Sequence, residues 1–480
     1  MYRKFVRNLS FLIFVNIIIK PVWILGVDRS IQNSIGPENY GLYYTLFSIS
    51  FIATVFLDFG ITNFNNRNIS RHPQLIHKYF SNILFLKVFL TIAYFSITLI
   101  WAWISGYDSN AVGILLLLCA NQTLSTFLLF LRSNISALQF FKTDSIFSAL
   151  DKFIAILICG AFLLIPSLQP FVNIYLLILS QTIGLIISTI TASIIVGKHA
   201  KFNLKITDYK FLIIIVKESL PFLVLMLLMS IYSKIDTFIL ERSLADGAFQ
   251  VGLYAMGYRL LEAGNLIAFL FSSLLFPIFS KMIKENEPTE NLVKLSMSLL
   301  VMPSVIISTF CFFNRTEIME LLYTQASGDV PLIFGIIILT FVASASNYIF
   351  GTLLTAAGKM GLLIKISVVM VILNIALNLI LIPDLGAVGA AYSTLITQFS
   401  IAIAQFFFAR KLFVFQFSLP KIISSISFII LISALFYFFK IQSVNYFLSF
   451  VFGFIIMMIF AFFTGLFPIK KIVRTFQKEI

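Results

Sequence analysis

The sequence is dominated by apolar stretches, each about as long as a lipid bilayer is thick. A helix needs roughly 20 mainly apolar residues to cross the hydrocarbon core, and fourteen stretches meet this requirement. In hydrocarbon every backbone N–H and C=O must be hydrogen-bonded inside the protein, which makes such segments helical. The predicted spans cover residues 9–28, 41–60, 80–104, 111–131, 144–165, 171–196, 216–239, 251–276, 293–313, 331–355, 361–382, 386–409, 420–439 and 445–466. The composition, 60% hydrophobic and 11% charged, agrees with an all-α integral membrane protein.

Two motifs recur in the second half of the chain. Gly36 and Gly41-Leu42-Tyr43 return as Gly247 and Gly252-Leu253-Tyr254 at an offset of 211 residues, and 164–182 returns as 381–399 at an offset of 217. The near agreement of the offsets indicates an internal duplication. Each copy contains six spans, and an even number restores the orientation of the second copy. We therefore predict two six-helix lobes, 1–197 and 198–411, related by a pseudo-twofold along the membrane normal, with two additional helices and a cytoplasmic tail over 412–480.

The orientation follows from Lys and Arg, because positively charged loops stay in the cytoplasm. With the N-terminus inside, the cytoplasmic segments hold twenty-three of these residues and the opposite loops hold four, Arg29, Arg242, Arg315 and Lys440. The C-terminus is then also cytoplasmic. The net charge of +14 is thus spread over many short loops, and it forms no single face of the kind that binds nucleic acid.

The sequence lacks the motifs that would indicate a catalytic or cofactor site. Cys119, Cys159 and Cys311 lie inside apolar spans without CxxC spacing, and no Gly-x-x-x-x-Gly-Lys-Ser/Thr phosphate loop occurs. The longest outer loop, about 314–330, has no cluster of reactive side chains. We expect a protein that is not an enzyme and that uses no metal and no cofactor.

Charged residues within the spans need a separate explanation. Lys20 and Arg259 lie roughly 12–17 Å from the start of their spans, and a cation there costs at least about 3 kcal/mol if it faces lipid. A position in a water-filled cavity between helices avoids this free-energy cost. The deep cations outnumber the deep carboxylates by five to three, which suits an anionic cargo. These residues are Lys20, Lys87, Lys152, Lys234 and Arg259, against Asp151, Asp236 and Glu262.

Other readings of these charges stay open. Glu262 follows Arg259 by three residues, a spacing that permits an ion pair on one helix face. An alternative is therefore that the charges only neutralise one another between helices. For Lys87 and Lys152 we expect the side chains to snorkel to the cytoplasmic edge. Pro21 directly after Lys20 predicts a kinked or broken helix.

A set of motifs resembles a known family over nearly the whole chain. They are Gly36, Tyr40-Gly41-Leu42-Tyr43, Asp58-Phe59-Gly60, Asp236, Gly252, Tyr254, Arg259, Asn374, Asn378, Leu381-Ile382-Pro383, Gly386 and Gly389-Ala390-Ala391. Their order is similar to that of the polysaccharide biosynthesis branch of the multidrug/oligosaccharidyl-lipid/polysaccharide exporter superfamily, the O-antigen flippases of Wzx type. Many of these have twelve spans, and the two extra spans here are similar to those of the fourteen-span lipid II flippases.

The resemblance implies a flippase that moves undecaprenyl-pyrophosphate-linked oligosaccharide, an O-antigen, capsule or exopolysaccharide repeat unit, from the cytoplasmic to the periplasmic leaflet of the bacterial inner membrane by alternating access. Lys20, Arg259, Lys234 and Lys87 would then attract the anionic head, and Asp236, Glu262 and Asp151 are candidates for ion coupling. Expected partners are the lipid-linked substrate, membrane lipids and other polysaccharide assembly proteins, with no nucleic acid. The alternatives are an organic-cation antiporter of the same superfamily and a membrane-embedded polysaccharide polymerase or ligase.

Overall fold

The structure, a computed structural model, describes residues 14–62, 65, 69, 76–138, 140–199, 209–326, 328–413, 415 and 419–464. These residues are almost entirely helical, and they contain no β-strand. Both chain termini, predicted to be cytoplasmic, lie outside the described residues. The chain forms two compact units, Met1–Gly252 and Leu253–Ile480.

The described residues of the first unit include nine helices given below, and a further helix, α10 (Gly247–Lys284), begins at its end. A π-helical stretch, Val22–Asp28, links α1 to α2, and a short 3-10 helix, Gln169–Phe171, lies between α7 and α8. The helices are α1 (residues 14–21), α2 (Arg29–Ala53), α3 (Val55–Asp58), α4 (Ile76–Ile104), α5 (Ser109–Ala137), α6 (Phe141–Phe147), α7 (Leu150–Leu164), α8 (Ile174–Gly197) and α9 (Tyr209–Ser243).

The chain reverses inside α2, at Gly36. This glycine has φ +80° and Pro37 follows it, so the residue that best tolerates positive φ precedes one that cannot donate an N–H. The hydroxyl of Tyr40 donates to Asp28 Oδ2 at 2.8 Å, although a straight helix would separate these residues by about 18 Å. The loop predicted over 29–40 is therefore too long. Arg29 lies inside a helix, and within α2 the backbone departs from helical angles at Gly36.

Pro21 does not break the first helix. Its backbone keeps helical angles, φ −63° and ψ −38°, and the winding changes to the wider π form over Val22–Asp28. Proline removes one hydrogen bond of the regular ladder, and a π segment places the next donors one residue further along. The expected distortion after Lys20 is thus a change of winding.

The described residues of the second unit continue α10 and add seven helices, and a π-helical stretch, Met297–Val301, follows the first of these. Close packing joins α10 to α14, since a Cβ on Gly257 would fall 3.0 Å from Phe334 Cα and one on Gly264 would fall 3.2 Å from the Phe341 ring. The helices are α10 (Gly247–Lys284), α11 (Glu290–Ser296), α12 (Met302–Phe313), α13 (Arg315–Leu322), α14 (Val330–Ala356), α15 (Met360–Phe413), α16 (Leu419–Ile441) and α17 (Tyr446–Phe463).

A second reversal occurs inside α15, at Gly386, which has φ +55°. Asn374 and Thr397, on opposite sides of this glycine, are joined by a hydrogen bond of 3.4 Å, so the two halves of α15 run back along each other. Eleven described helices are long and apolar enough to cross a membrane. Phe14–Asp58 and Met360–Phe413 each hold two crossings, and Tyr446–Ala461 is a shorter apolar helix. The predicted all-helical membrane fold with about fourteen spans is confirmed.

The last two helices pack on α12. Phe310 of α12 lies 5.5 Å from the ring of Phe436 in α16 and 4.9 Å from that of Phe450 in α17. Gly453 of α17 lets the Phe436 ring approach the helix backbone. These contacts belong to an apolar cluster that also contains Ile306 and Met457, so the C-terminal pair is part of the second unit.

Candidate functional site

Lys20 is the cation that most needs explanation. It is half-buried at the end of α1, and no hydrogen bond or ion pair joins it to any residue in the described part of the chain. Asp151, Arg132 and Lys152 lie within electrostatic range of its ammonium group. Because an apolar setting penalises an isolated charge, this position favours a water-filled or ligand-binding environment.

The neighbours of Lys20 hold one another in place. The ammonium of Lys152 donates to Gln181 Oε1 at 2.8 Å, lies 5.0 Å above the Trp23 ring and is 3.9 Å from Asp151. Gly184 of α8 brings that helix directly against the backbone of Asp151. Asp151, a predicted coupling carboxylate, is therefore the counter-ion of a lysine on the next residue.

Lys87 is engaged in a buried ion pair. Its ammonium is 3.1 Å from Asp58 Oδ1 and 3.3 Å from the carbonyl of Leu57, and it lies 5.6 Å from the Phe130 ring. Lys87 is only 6% exposed, so snorkelling is the wrong expectation for it. Asp58 also accepts hydrogen bonds from the backbone N–H and the hydroxyl of Thr62. The contacts of Lys87 tie α4 to the end of α3.

A buried polar network lines the inside of the first unit. Lys234 of α9 donates to the hydroxyl of Tyr44 at 3.0 Å, and the Tyr40 and Tyr44 rings stack with centroids 6.2 Å apart. Tyr40 in turn holds the carboxylate of Asp28. Asp28 and Tyr44, at most 1% exposed, are among the most buried groups in the unit. The network joins α2 to α9.

Asp236 lies two residues beyond Lys234 on α9 and is also buried, with 1% of its surface exposed. The two residues point to different sides of the helix, as the spacing predicts, and the structure covers both sides. A buried carboxylate responds strongly to protonation because its charged form is penalised in an apolar setting. Asp236 remains a candidate for ion coupling.

In the second unit, Arg259 and Glu262 form the ion pair that their spacing predicts. Arg259 Nη1 is 2.8 Å from Glu262 Oε2, and the two side chains are 11% and 24% exposed. Arg259 is thus more buried than its partner. Arg259 remains a candidate for binding an anion, because a planar guanidinium matches the geometry of phosphate oxygens.

A second polar cluster lies deeper in this unit, at the reversal of α15. The Tyr254 hydroxyl and Thr394 Oγ1 are 2.9 Å apart, and Asn378 Nδ2 donates to Asn374 Oδ1 at 3.2 Å. Asn374 also donates to Thr397. Tyr254, Asn374 and Asn378 belong to motifs of the family resemblance. Their contacts join the two arms of α15 to each other and to α10.

Sequence reasoning missed three charged groups. Asp28 and Asp58 lie in or beside the spans and join the deep carboxylates, and Arg29 joins the deep cations, so the predicted excess of cations narrows from five against three to six against five. Arg29, placed in an outer loop, lies in helix, and its Nε is buried with no hydrogen-bond partner in the described residues. All three lie at span ends predicted from hydropathy, where a shift of a few residues moves a charge from water into the membrane.

The fold and the buried polar groups define a helical membrane protein with many spans and with charged groups in its interior. The first 283 residues carry the decisive similarity. The family model described as polysaccharide biosynthesis protein matches residues 5–283, which is more than half of the chain. The chain belongs to this polysaccharide biosynthesis protein family.

Three individual proteins illustrate the similarity. The chain is 26% identical over 173 residues to the capsular polysaccharide biosynthesis protein CapF of Staphylococcus aureus, and 28% identical over 167 residues to the probable low-salt glycan biosynthesis flippase Agl15 of Haloferax volcanii. The matches cover 35% and 34% of this chain, and 43% and 34% of those relatives. The chain thus spans less than half the length of the curated relatives it matches.

The fold has a counterpart of almost the same extent. The lipid II flippase MurJ, in an inward closed conformation, superposes with a TM-score of 0.69 at 14% sequence identity. The superposition covers 94% of this chain and 98% of that chain. At this identity the likeness concerns the fold alone.

Proposed function

We propose that this protein is a flippase for undecaprenyl-pyrophosphate-linked oligosaccharide, a repeat unit of O-antigen, capsule or exopolysaccharide. The membership in the polysaccharide biosynthesis family and the fourteen-span fold support this proposal. The substrate has a charged, hydrated head that cannot cross hydrocarbon bare. Two lobes, 1–197 and 198–411, would expose the head-binding site alternately to each side of the membrane.

The observation that carries the proposal is the position of Lys20. It is half-buried on a membrane helix, no hydrogen bond or ion pair holds it within the described residues, and Asp151, the carboxylate in electrostatic range, is paired with Lys152. A pyrophosphate supplies the missing negative charge and several acceptor oxygens, and charge-assisted hydrogen bonds to such oxygens are strong. Arg29, whose Nε is buried without a partner in the same part of the structure, is a second donor for the head.

The other predicted site residues have different roles in this proposal. Arg259 binds the head through its planar guanidinium, which suits phosphate oxygens. Lys234 and Lys87 act through their contacts with Tyr44 and Asp58, as positioning residues. Asp236, Glu262 and Asp151 are the candidates for coupling to an ion gradient, because no nucleotide-binding motif occurs in the sequence.

The proposal includes the cellular setting. The protein resides in the bacterial inner membrane with both termini in the cytoplasm, where the count of Lys and Arg in the loops places them. There it meets lipid-linked oligosaccharide made on the cytoplasmic face, and the polysaccharide assembly proteins that act on the opposite face are its partners. No nucleic acid takes part.

A deletion strain tests the proposal. Loss of the gene should cause lipid-linked oligosaccharide to accumulate on the cytoplasmic face, together with loss of surface glycan, and the wild-type gene should reverse both effects. An antiporter for organic cations would instead leave the glycan intact and raise sensitivity to cationic drugs. If the protein is a polymerase, its deletion would leave surface glycan of a single repeat unit. Either of these outcomes would contradict the proposal that the protein is a flippase.

A further inference from the structure

A groove on the membrane surface of the first unit lies between α4 and α9. Its volume is about 430 Å³, within the range of ligand-binding clefts. Its described lining consists of five aliphatic side chains and one lysine. They are Leu86 of α4 and Leu212, Ile213, Val216, Lys217 and Leu220 of α9. The groove therefore suits a hydrocarbon chain that ends in a negatively charged group.

The depth of the groove is set by Lys217. The predicted topology places the start of α9 at the cytoplasmic surface, and Lys217 lies about two turns further along the helix. Its side chain is exposed, so the ammonium can extend to the level of the lipid phosphates. Ile213 and Leu220 beside it are 67% and 48% exposed, which opens the groove to the inner leaflet.

We propose that this groove binds an anionic glycerophospholipid of the inner leaflet. One acyl chain lies along Leu86 and Val216, and the phosphate accepts a hydrogen bond from the Lys217 ammonium. Lysines at the cytoplasmic edge attract anionic lipids, and the groove adds the apolar contact that makes the attraction specific. The site is separate from Lys20 and Arg259, so this inference goes beyond transport of the substrate.

Native mass spectrometry of the purified full-length protein tests the proposal, with phosphatidylglycerol as the probe and phosphatidylcholine as the neutral comparison. The wild type should retain phosphatidylglycerol preferentially. Lys217→Ala should weaken this binding about tenfold, the effect of losing one charge-assisted hydrogen bond. Lys217→Arg should preserve it. Leu86→Trp, which fills the groove, should reduce the binding of both lipids.

Lys365→Ala is the matched control, since Lys365 is another exposed lysine of a membrane helix and does not line the groove. It should leave phosphatidylglycerol binding unchanged. The proposal is overturned if Lys217→Ala and Lys365→Ala retain equal amounts of phosphatidylglycerol. It is also overturned if the wild type prefers undecaprenyl phosphate to phosphatidylglycerol in a Lys217-dependent way, because the groove would then hold the tail of the substrate.

Discussion

Gly41 of α2 and Gly252 of α10 pack with their backbones in contact. A Cβ on Gly41 would meet the carbonyl oxygen of Ala248 and fall 2.7 Å from the Gly252 nitrogen, and a Cβ on Gly252 would meet the carbonyl of Pro37. Pro37 and Ala248 are 211 residues apart in the sequence, as are Gly41 and Gly252. The contact is therefore reciprocal between the two copies of the repeated motif, and the duplication has a physical counterpart at this crossing.

The crossing should not tolerate a methyl group. We expect Gly41→Ala and Gly252→Ala each to destabilise the protein by about 1–3 kcal/mol, because the added Cβ overlaps backbone that cannot move away as a side chain can. Thermal unfolding in detergent and the amount of protein in the membrane measure this effect. Gly113→Ala and Gly160→Ala are matched controls, since nothing lies within 4 Å of a Cβ at either helical position. Equal stability of all four variants would contradict the close crossing.

The Lys87–Asp58 pair should behave as a structural unit. Lys87→Met or Asp58→Asn alone leaves one buried charge uncompensated, which costs about 3–5 kcal/mol. The double variant removes both charges and should regain most of the stability and of the glycan export. Membrane abundance and surface glycan are measured together. A double variant that is stable and inactive would instead assign Lys87 a direct contact with the substrate.

The Arg259–Glu262 pair can be tested with the same kind of single and double variants, but here we expect no recovery in the double variant. If Arg259 binds the anionic head, Arg259→Gln should abolish export at normal abundance, and combining it with Glu262→Gln should not restore export. Arg259→Lys should keep only part of the activity. Lysine retains the positive charge but lacks the bidentate hydrogen-bond donors of the guanidinium. Recovery of surface glycan in the double variant would show that the arginine serves only to pair with Glu262.

Tyr107, between α4 and α5, is part of a polar contact with the end of α9. Its hydroxyl donates to Glu241 Oε2 at 3.1 Å, and the Arg242 guanidinium lies 4.0 Å from the ring centroid. Burial, helped by the Glu241 carboxylate, raises the pKa of Tyr107 above its usual 10.0. Arg242 is also bound to Glu241 at 2.7 Å, so the three side chains form one cluster.

The raised pKa of Tyr107 makes the stability of the protein depend on pH above 10. Since the folded-state pKa is raised, Tyr107 contributes stability that is fully present below pH 10 and is lost as the pH rises further. Tyr107→Phe should lower stability by about 1 kcal/mol at neutral pH, because one hydrogen bond to a charged group is lost, and should lose less stability above pH 10 than the wild type. Unfolding midpoints from pH 7 to 11 measure both effects. A steeper alkaline loss in the variant would contradict this role.

The sequence predicted the helical membrane fold because hydropathy over about 20 residues determines where a chain can cross a bilayer. It could not place the reversal between the first two spans. Gly36 and Pro37 turn the chain within a continuous run of helix, and a hydropathy pattern cannot distinguish such a turn from a loop of several residues. Arg29, expected in a loop, lies in helix for this reason.

The candidate site was predicted in part. The spacing of Arg259 and Glu262 within one helix was sufficient to predict their ion pair, since helical geometry alone brings them together. The Lys87–Asp58 and Lys234–Tyr44 contacts join residues 29 and 190 positions apart. Their partners follow from tertiary packing, which a single sequence does not determine.

Translocation by the purified protein tests the central claim most directly. Sealed proteoliposomes should carry undecaprenyl-pyrophosphate-linked oligosaccharide on one face and an imposed ion gradient, with no ATP. We predict that the wild type and Lys365→Ala move the lipid to the opposite face, whereas Lys20→Ala does not and Lys20→Arg retains part of the rate. Equal translocation by Lys20→Ala and the wild type, or no translocation above protein-free liposomes, would contradict the account.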